Sequence, residues 1–164
     1  MFDAPTRFEQ QEARLRTFAT ANETVDASII ACLRALYHLN GWEDLGSDDV
    51  RSLVGVTRVE DLAQWLRARG HDARVEAVDQ YRVDDILWWM APPTGPARFV
   101  ICRGDQPGRR VAYWDPHTGQ AHWHLLEEQA PGQASGEVRV RIYRPVPPPP
   151  PRRPRSWLGR LLGW

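Results

Sequence analysis

The stretch that decides the fold is Val25-Asp26-Ala27-Ser28-Ile29-Ile30-Ala31-Cys32-Leu33-Arg34-Ala35-Leu36-Tyr37-His38-Leu39-Asn40-Gly41. Ile29, Cys32, Leu33 and Leu36 recur at i, i+3, i+4 and i+7, the spacing that gives a helix one buried face. This predicts a helix from about Ser28 to Leu39, capped by Asp26 or Ser28 and ended by Gly41.

Two shorter helices are expected downstream. Ser47-Asp48-Asp49 opens one, with Val50, Leu53 and Val54 on its inner face. Thr57 caps the next, with Glu60 completing a capping box; Val59, Leu62 and Leu66 mark its inner face and Gly70 stops it. The period then shifts toward two. Ala73, Val75 and Ala77 alternate with Arg74, Glu76 and Val78. Residues 97–103, 111–114, 120–125 and 138–143 read as further strands, with turns at Asp105-Gln106-Pro107-Gly108 and Asp115–Gly119. Helices first and an antiparallel sheet afterwards is an α+β order. Trp88-Trp89-Met90 reads as core.

Upstream, residues 1–21 read as a helical arm with a thin apolar stripe of Phe8, Leu15 and Phe18. Downstream, residues 144–151 are proline-rich and predict an extended spacer. Residues 152–164 form a basic tail in which Trp157, Leu158, Arg160, Leu161, Leu162 and Trp164 combine charge with apolar surface.

The chain has 164 residues, 42% of them hydrophobic, with eight tryptophans, so one packed domain is expected. No segment approaches a membrane span, and Met1–Pro5 does not resemble a secretory signal. Cys32 and Cys102, the only two cysteines, lie in apolar contexts, as buried reduced thiols of a cytoplasmic protein do; a disulfide between them is the weaker reading. Net charge is zero, yet residues 144–164 carry five arginines and no acid, which leaves the rest at −5. An acidic body argues against nucleic acid as a partner. His122 and His124 share a strand face, but no third ligand is evident, so neither a metal nor another cofactor is expected.

Ala31-Cys32-Leu33 followed by an apolar run to Gly41 resembles the nucleophile helix of the double-glycine leader peptidases, papain-like enzymes that process bacteriocins. Further motifs follow in the same order: Gly55-Val56-Thr57, the start of a strand at Gly70–Arg74, Arg98-Phe99-Val100-Ile101, and Asp115-Pro116. Together they cover about residues 22–125. The resemblance implies a papain-like fold over residues 22–143, with N-terminal helices packed on an antiparallel sheet. It puts Ser28 at the catalytic cysteine, Arg98 at the histidine, Asp115 at the aspartate and Asn22 at the oxyanion-binding glutamine. In a register shifted by one, Ala27 takes the nucleophile's place. Either register removes the thiol, and arginine stays protonated and cannot act as a base.

The resemblance therefore implies a degenerate, catalytically inactive member that binds a peptide or protein segment. The setting it implies is an adaptor or accessory subunit of a bacterial secretion or surface-assembly system. The composition of the tail suits docking to a partner protein or peripheral contact with the inner membrane, with a disordered end as the plain alternative. Two alternatives stand beside it. One is a serine-type peptidase or transferase using Ser28 with a histidine outside the family pattern, His117 being nearest to Asp115. The other is a purely structural scaffold subunit. On the bland side, Ser28 is a helix cap, Asn22 a turn residue, and Arg98 with Asp115 a salt bridge between neighbouring strands.

Overall fold

Thr6 caps the first helix. Its hydroxyl accepts the Glu9 N–H at 3.2 Å, while the Glu9 carboxylate accepts the Thr6 N–H. Helix α1 (Arg7–Leu15) runs from there into a 3-10 turn, Arg16–Phe18. Leu15 is fully buried and Phe18 packs against the same core, which fastens the N-terminal arm to the body. The computed structural model describes residues 6–77, 82–89, 92, 95–106, 110–125 and 138–143. The proline-rich segment 144–151 and the tail 152–164, with its six candidate binding residues, lie outside them.

Helix α2 spans Val25–Asn40, starting earlier than its apolar period suggests. The cap is Thr24, whose hydroxyl faces the Ala27 N–H; neither Asp26 nor Ser28 caps it. Asp26 falls instead in the first turn, where its carboxylate accepts the Gly55 N–H at 2.9 Å and ties α2 to the turn after the next helix. Hydrogen bonds from Thr24 and Gly55 hold that carboxyl below its ordinary range. At the other end Gly41 adopts a left-handed conformation, φ +67, and closes the helix.

Helix α3 (Ser47–Leu53) stops one residue short of Val54, which is 65% exposed rather than part of the inner face. Helix α4 (Val59–Ala68) begins after Arg58, so the expected Thr57–Glu60 capping box does not form. Its buried face is Val59, Leu62, Ala63, Trp65 and Leu66.

Among the described residues six strands follow: β1 (Asp72–Ala77), β2 (Ile86–Trp89), β3 (Arg98–Gln106), β4 (Arg110–Asp115), β5 (Gln120–Leu125) and β6 (Val138–Tyr143). They form one sheet in the order β1-β6-β2-β3-β4-β5, antiparallel at every pairing. The chain is thus α+β. Strand β2 was not among the expected strands; Trp88 and Trp89 belong to it.

Side chains alternate across a strand, and here both faces of the sheet are buried. Ile86, Phe99, Ile101, Trp114 and Val140 join the helices in the main core. Leu87, Trp89, Val100, Cys102 and Tyr113 form a second cluster on the opposite face. Which face a residue occupies decides what it can meet, and this governs the site.

Candidate functional site

Ser28 lies one turn into α2, on the side that packs against β3. It is fully buried. Its hydroxyl donates to the Val25 carbonyl at 2.6 Å and accepts the Phe99 N–H at 3.0 Å. One turn further along, the Cys32 thiol donates to the Phe99 carbonyl at 3.4 Å. Two side chains from one helix face therefore bracket a single strand residue. Burial pushes the Cys32 thiol well above its ordinary pKa, so it stays protonated and is no substitute nucleophile.

Arg98 and Asp115 do pair. The guanidinium Nε and Nη2 meet the two carboxylate oxygens at 3.0 and 2.7 Å, and Nη1 donates to the Pro96 carbonyl at 3.0 Å. Both residues are 3% exposed. A two-pronged, dry ion pair of this kind is a structural clamp between β3 and β4. It lies on the far face of the sheet from Ser28. Phe99 and Ile101 face α2, so Arg98 faces away from it, opposite Trp89 in register and 5.5 Å from that ring. Ser28 reaches the backbone of the residue next to Arg98 but shares a face with neither Arg98 nor Asp115. The three family positions come close in the chain path without forming a triad.

His117 follows in the β4–β5 turn, where its backbone N–H donates to Asp115 Oδ1 at 2.9 Å. Its Nε2 is buried with no hydrogen-bond partner among the described residues. Burial, and then the nearby Arg98 charge, lower its pKa and keep the ring neutral at pH 7. Both hydrogen bonds found for the Ser28 hydroxyl go to backbone groups, so His117 is not its base. His122 bonds Thr118 at 3.0 Å, and among the described residues no cluster with the makings of a metal site occurs.

Asn22 is a turn residue, as the plainer reading has it. Its Oδ1 accepts the Thr24 N–H at 3.1 Å, and its own N–H donates to the Thr20 hydroxyl at 3.1 Å. It also stands at the edge of a surface cavity of about 250 Å³. The walls of that cavity are Thr17–Thr20 and Asn22 on one side and Ala27, Ile30, Ala31 and Arg34 on the other. The second set falls at i, i+3, i+4 and i+7, one face of α2. Of the two nucleophile registers, Ser28 is therefore sealed against the sheet, and Ala27 lines the open cavity.

Arg34 is absent from the residues the sequence singled out. A trace was there: it sits on a helix face otherwise made of alanine and isoleucine, with no acid three or four residues away in either direction. A larger cavity, about 500 Å³, lies by the other end of α2, beside Leu36, Asn40 and Trp42. Its buried charges are spent on one another, Arg141 holding Asp85 through two contacts of 2.7 Å.

Comparison of the chain with protein-family models, with curated proteins and with solved structures finds no match. Among the described residues no helix is long and apolar enough to cross a membrane.

Proposed function

We propose that this chain is a catalytically inactive, peptidase-like domain of papain-like descent that holds a peptide or an extended protein segment. The observation that carries the reading is the state of the Ser28 hydroxyl. It is buried, its proton is given to Val25 and its lone pair to Phe99, so no substrate carbonyl can approach it. The same observation disfavours a serine enzyme. The open cavity beside Ala27 and Asn22 disfavours a mere scaffold, in which that position would be filled by the chain's own side chains.

The papain-like reading is supported by the order of elements: a helix whose first turns meet a strand, then antiparallel strands ending at an Asp-Pro turn. The Arg98–Asp115 clamp departs from it by facing the wrong way. In this reading the domain serves as an adaptor or accessory subunit in bacterial secretion or surface assembly, recruited through residues 152–164.

The test is to incubate the purified full chain with double-glycine leader peptides, following cleavage by mass spectrometry and binding by calorimetry. The expected result is binding without product. Turnover that disappears in Ser28→Ala would replace this reading with the enzyme. Deleting residues 152–164 should leave the melting temperature nearly unchanged while abolishing co-purification with partners or membranes; unfolding of the truncated chain would make the tail structural.

A further inference from the structure

The cavity beside Ala27 contains polar groups that the fold does not use. Among the described residues, Arg34 is the one charged residue in its lining, and no carboxylate lines it. The Arg34 Nε is buried and has no hydrogen-bond partner among the described residues. A buried guanidinium N–H without an acceptor is costly, because desolvation is not repaid.

Two further residues of the lining, Asn22 and Thr20, carry donor groups. The Asn22 side chain has a fixed orientation: the atom that accepts the Thr24 N–H must be the oxygen, which leaves the amide NH₂ on the other side. The Thr20 hydroxyl accepts the Asn22 N–H and so keeps its own hydrogen to give. The wall that holds these groups is anchored, since the Thr20 N–H donates to the Pro116 carbonyl at 2.9 Å. Phe18, Ala27, Ile30 and Ala31 supply the apolar remainder of the lining.

We infer that this cavity is a carboxylate-binding subsite that captures the free C-terminus of a peptide ending in small residues. A guanidinium beside an amide and a hydroxyl, all donors, is complementary to a carboxylate, and terminal carboxylates are recognised by such donor sets. The volume of about 250 Å³ is enough for a carboxylate with a small residue or two behind it. This inference rests on the peptide-binding reading above and names the end of the peptide that is held.

The probes are acetyl-Ala-Gly-Gly with a free carboxylate, the same peptide as its C-terminal amide, and an amidated acetyl-Ala-Gly-Glu. Each is titrated into the full chain, with the Arg34 Nε–H resonance followed by NMR and affinity taken from the shifts. The free acid should move that resonance and bind at least about tenfold more tightly than the amide, the worth of one charge-assisted hydrogen bond. Arg34→Met, which keeps the stem and removes the donors, should erase the difference without lowering the melting temperature. Acid and amide binding alike, or acid binding indifferent to Arg34→Met, would overturn the subsite while leaving peptide binding intact. Equal binding of the amidated glutamate peptide would overturn the choice of the C-terminus. If none of the three binds and longer leader peptides also fail, the peptide-binding reading falls with it.

Discussion

Helix α2 presents two sides of opposite character. On the side facing the sheet, Ser28 and Cys32 spend their polar atoms on the backbone of Phe99. On the side facing the cavity Arg34, with the turn residue Asn22 on the opposite wall, keeps donors that nothing described in the chain accepts. Ser28 and Arg34 stand on one helix about a third of a turn apart. A saturated polar group in a dry place is there for the fold. An unsaturated one that is buried, as the Arg34 Nε is, costs stability, and such a cost is typical of sites kept for binding. The comparison separates what is inherited as architecture from what still recognises a ligand. Perturbing the saturated side should cost stability and spare binding, and perturbing the cavity should do the reverse.

The largest effect is expected from Asp115→Ala. It leaves the Arg98 guanidinium buried beside Trp89 without its partner, at a cost of about 3–5 kcal/mol in urea unfolding. Replacing both residues, as Arg98→Met with Asp115→Leu, should recover most of the loss, because it is the orphaned charge that hurts. A loss below about 1 kcal/mol for the single variant, the range of exposed pairs, would mean the clamp is not structural.

Next comes Ser28→Ala, which strips the Phe99 N–H of its side-chain acceptor and should cost about 1–3 kcal/mol. Peptide affinity should not change. Restoring chemistry there should also fail. Ser28→Cys combined with Arg98→His puts a thiol on one face of the sheet and an imidazole on the other, so leader peptides should stay intact by mass spectrometry. Cleavage by that double variant would show that the two sides of β3 communicate and would break the comparison.

Gly119→Ala acts on both sides together. Gly119 has φ +69, and a Cβ there would stand 2.9 Å from the Ala19 Cβ and 3.2 Å from the Arg16 Cα. The left-handed conformation alone costs an alanine about 1–2 kcal/mol. The contact then pushes on the segment whose residues form one cavity wall. Loss of stability accompanied by weaker peptide binding is the expected result. Unchanged binding would show that the wall is not held from the β4–β5 turn.

The helices were legible in the sequence because each buries one face only, so Ile29, Cys32, Leu33 and Leu36, or Val59, Leu62 and Leu66, announce themselves by period. Strand β2 was not, for a physical reason. Ile86 and Trp88 pack toward the helices, and Leu87 and Trp89 into the second cluster. A strand buried on both faces is a run of apolar residues without alternation. The clamp was half legible. Asp115 and Arg98 were paired correctly, yet the alternation of Arg98 with Phe99 already implies that only one of them can face α2. Arg34 escaped because its meaning depends on what is absent around it. A missing carboxylate is visible only once the fold shows which groups are neighbours.

The smallest effect concerns pH, and it tests whether the two sides can be moved separately. His71 lies on the architectural side, its Nε2 2.8 Å from the Tyr37 hydroxyl and its ring 4.8 Å from that of Trp42. Burial lowers its pKa, and His117 is shifted in the same direction, chiefly by burial and then by Arg98. The unfolded chain therefore binds these protons more readily than the folded one. Stability is highest above the ordinary histidine pKa of about 6.5 and declines as pH falls below it toward the depressed folded values. His71→Gln should remove part of that slope in melting temperature between pH 7 and pH 5, and His117→Gln a further part. Peptide capture should not follow the same curve. Arginine stays protonated throughout, and a peptide carboxylate stays ionised above about pH 5. Over this window the melting temperature should drift down while the affinity for a free-acid peptide holds constant. An affinity that falls in step with stability would mean that the cavity depends on the very groups that hold the sheet to the helix, and the two sides of α2 would then be one site.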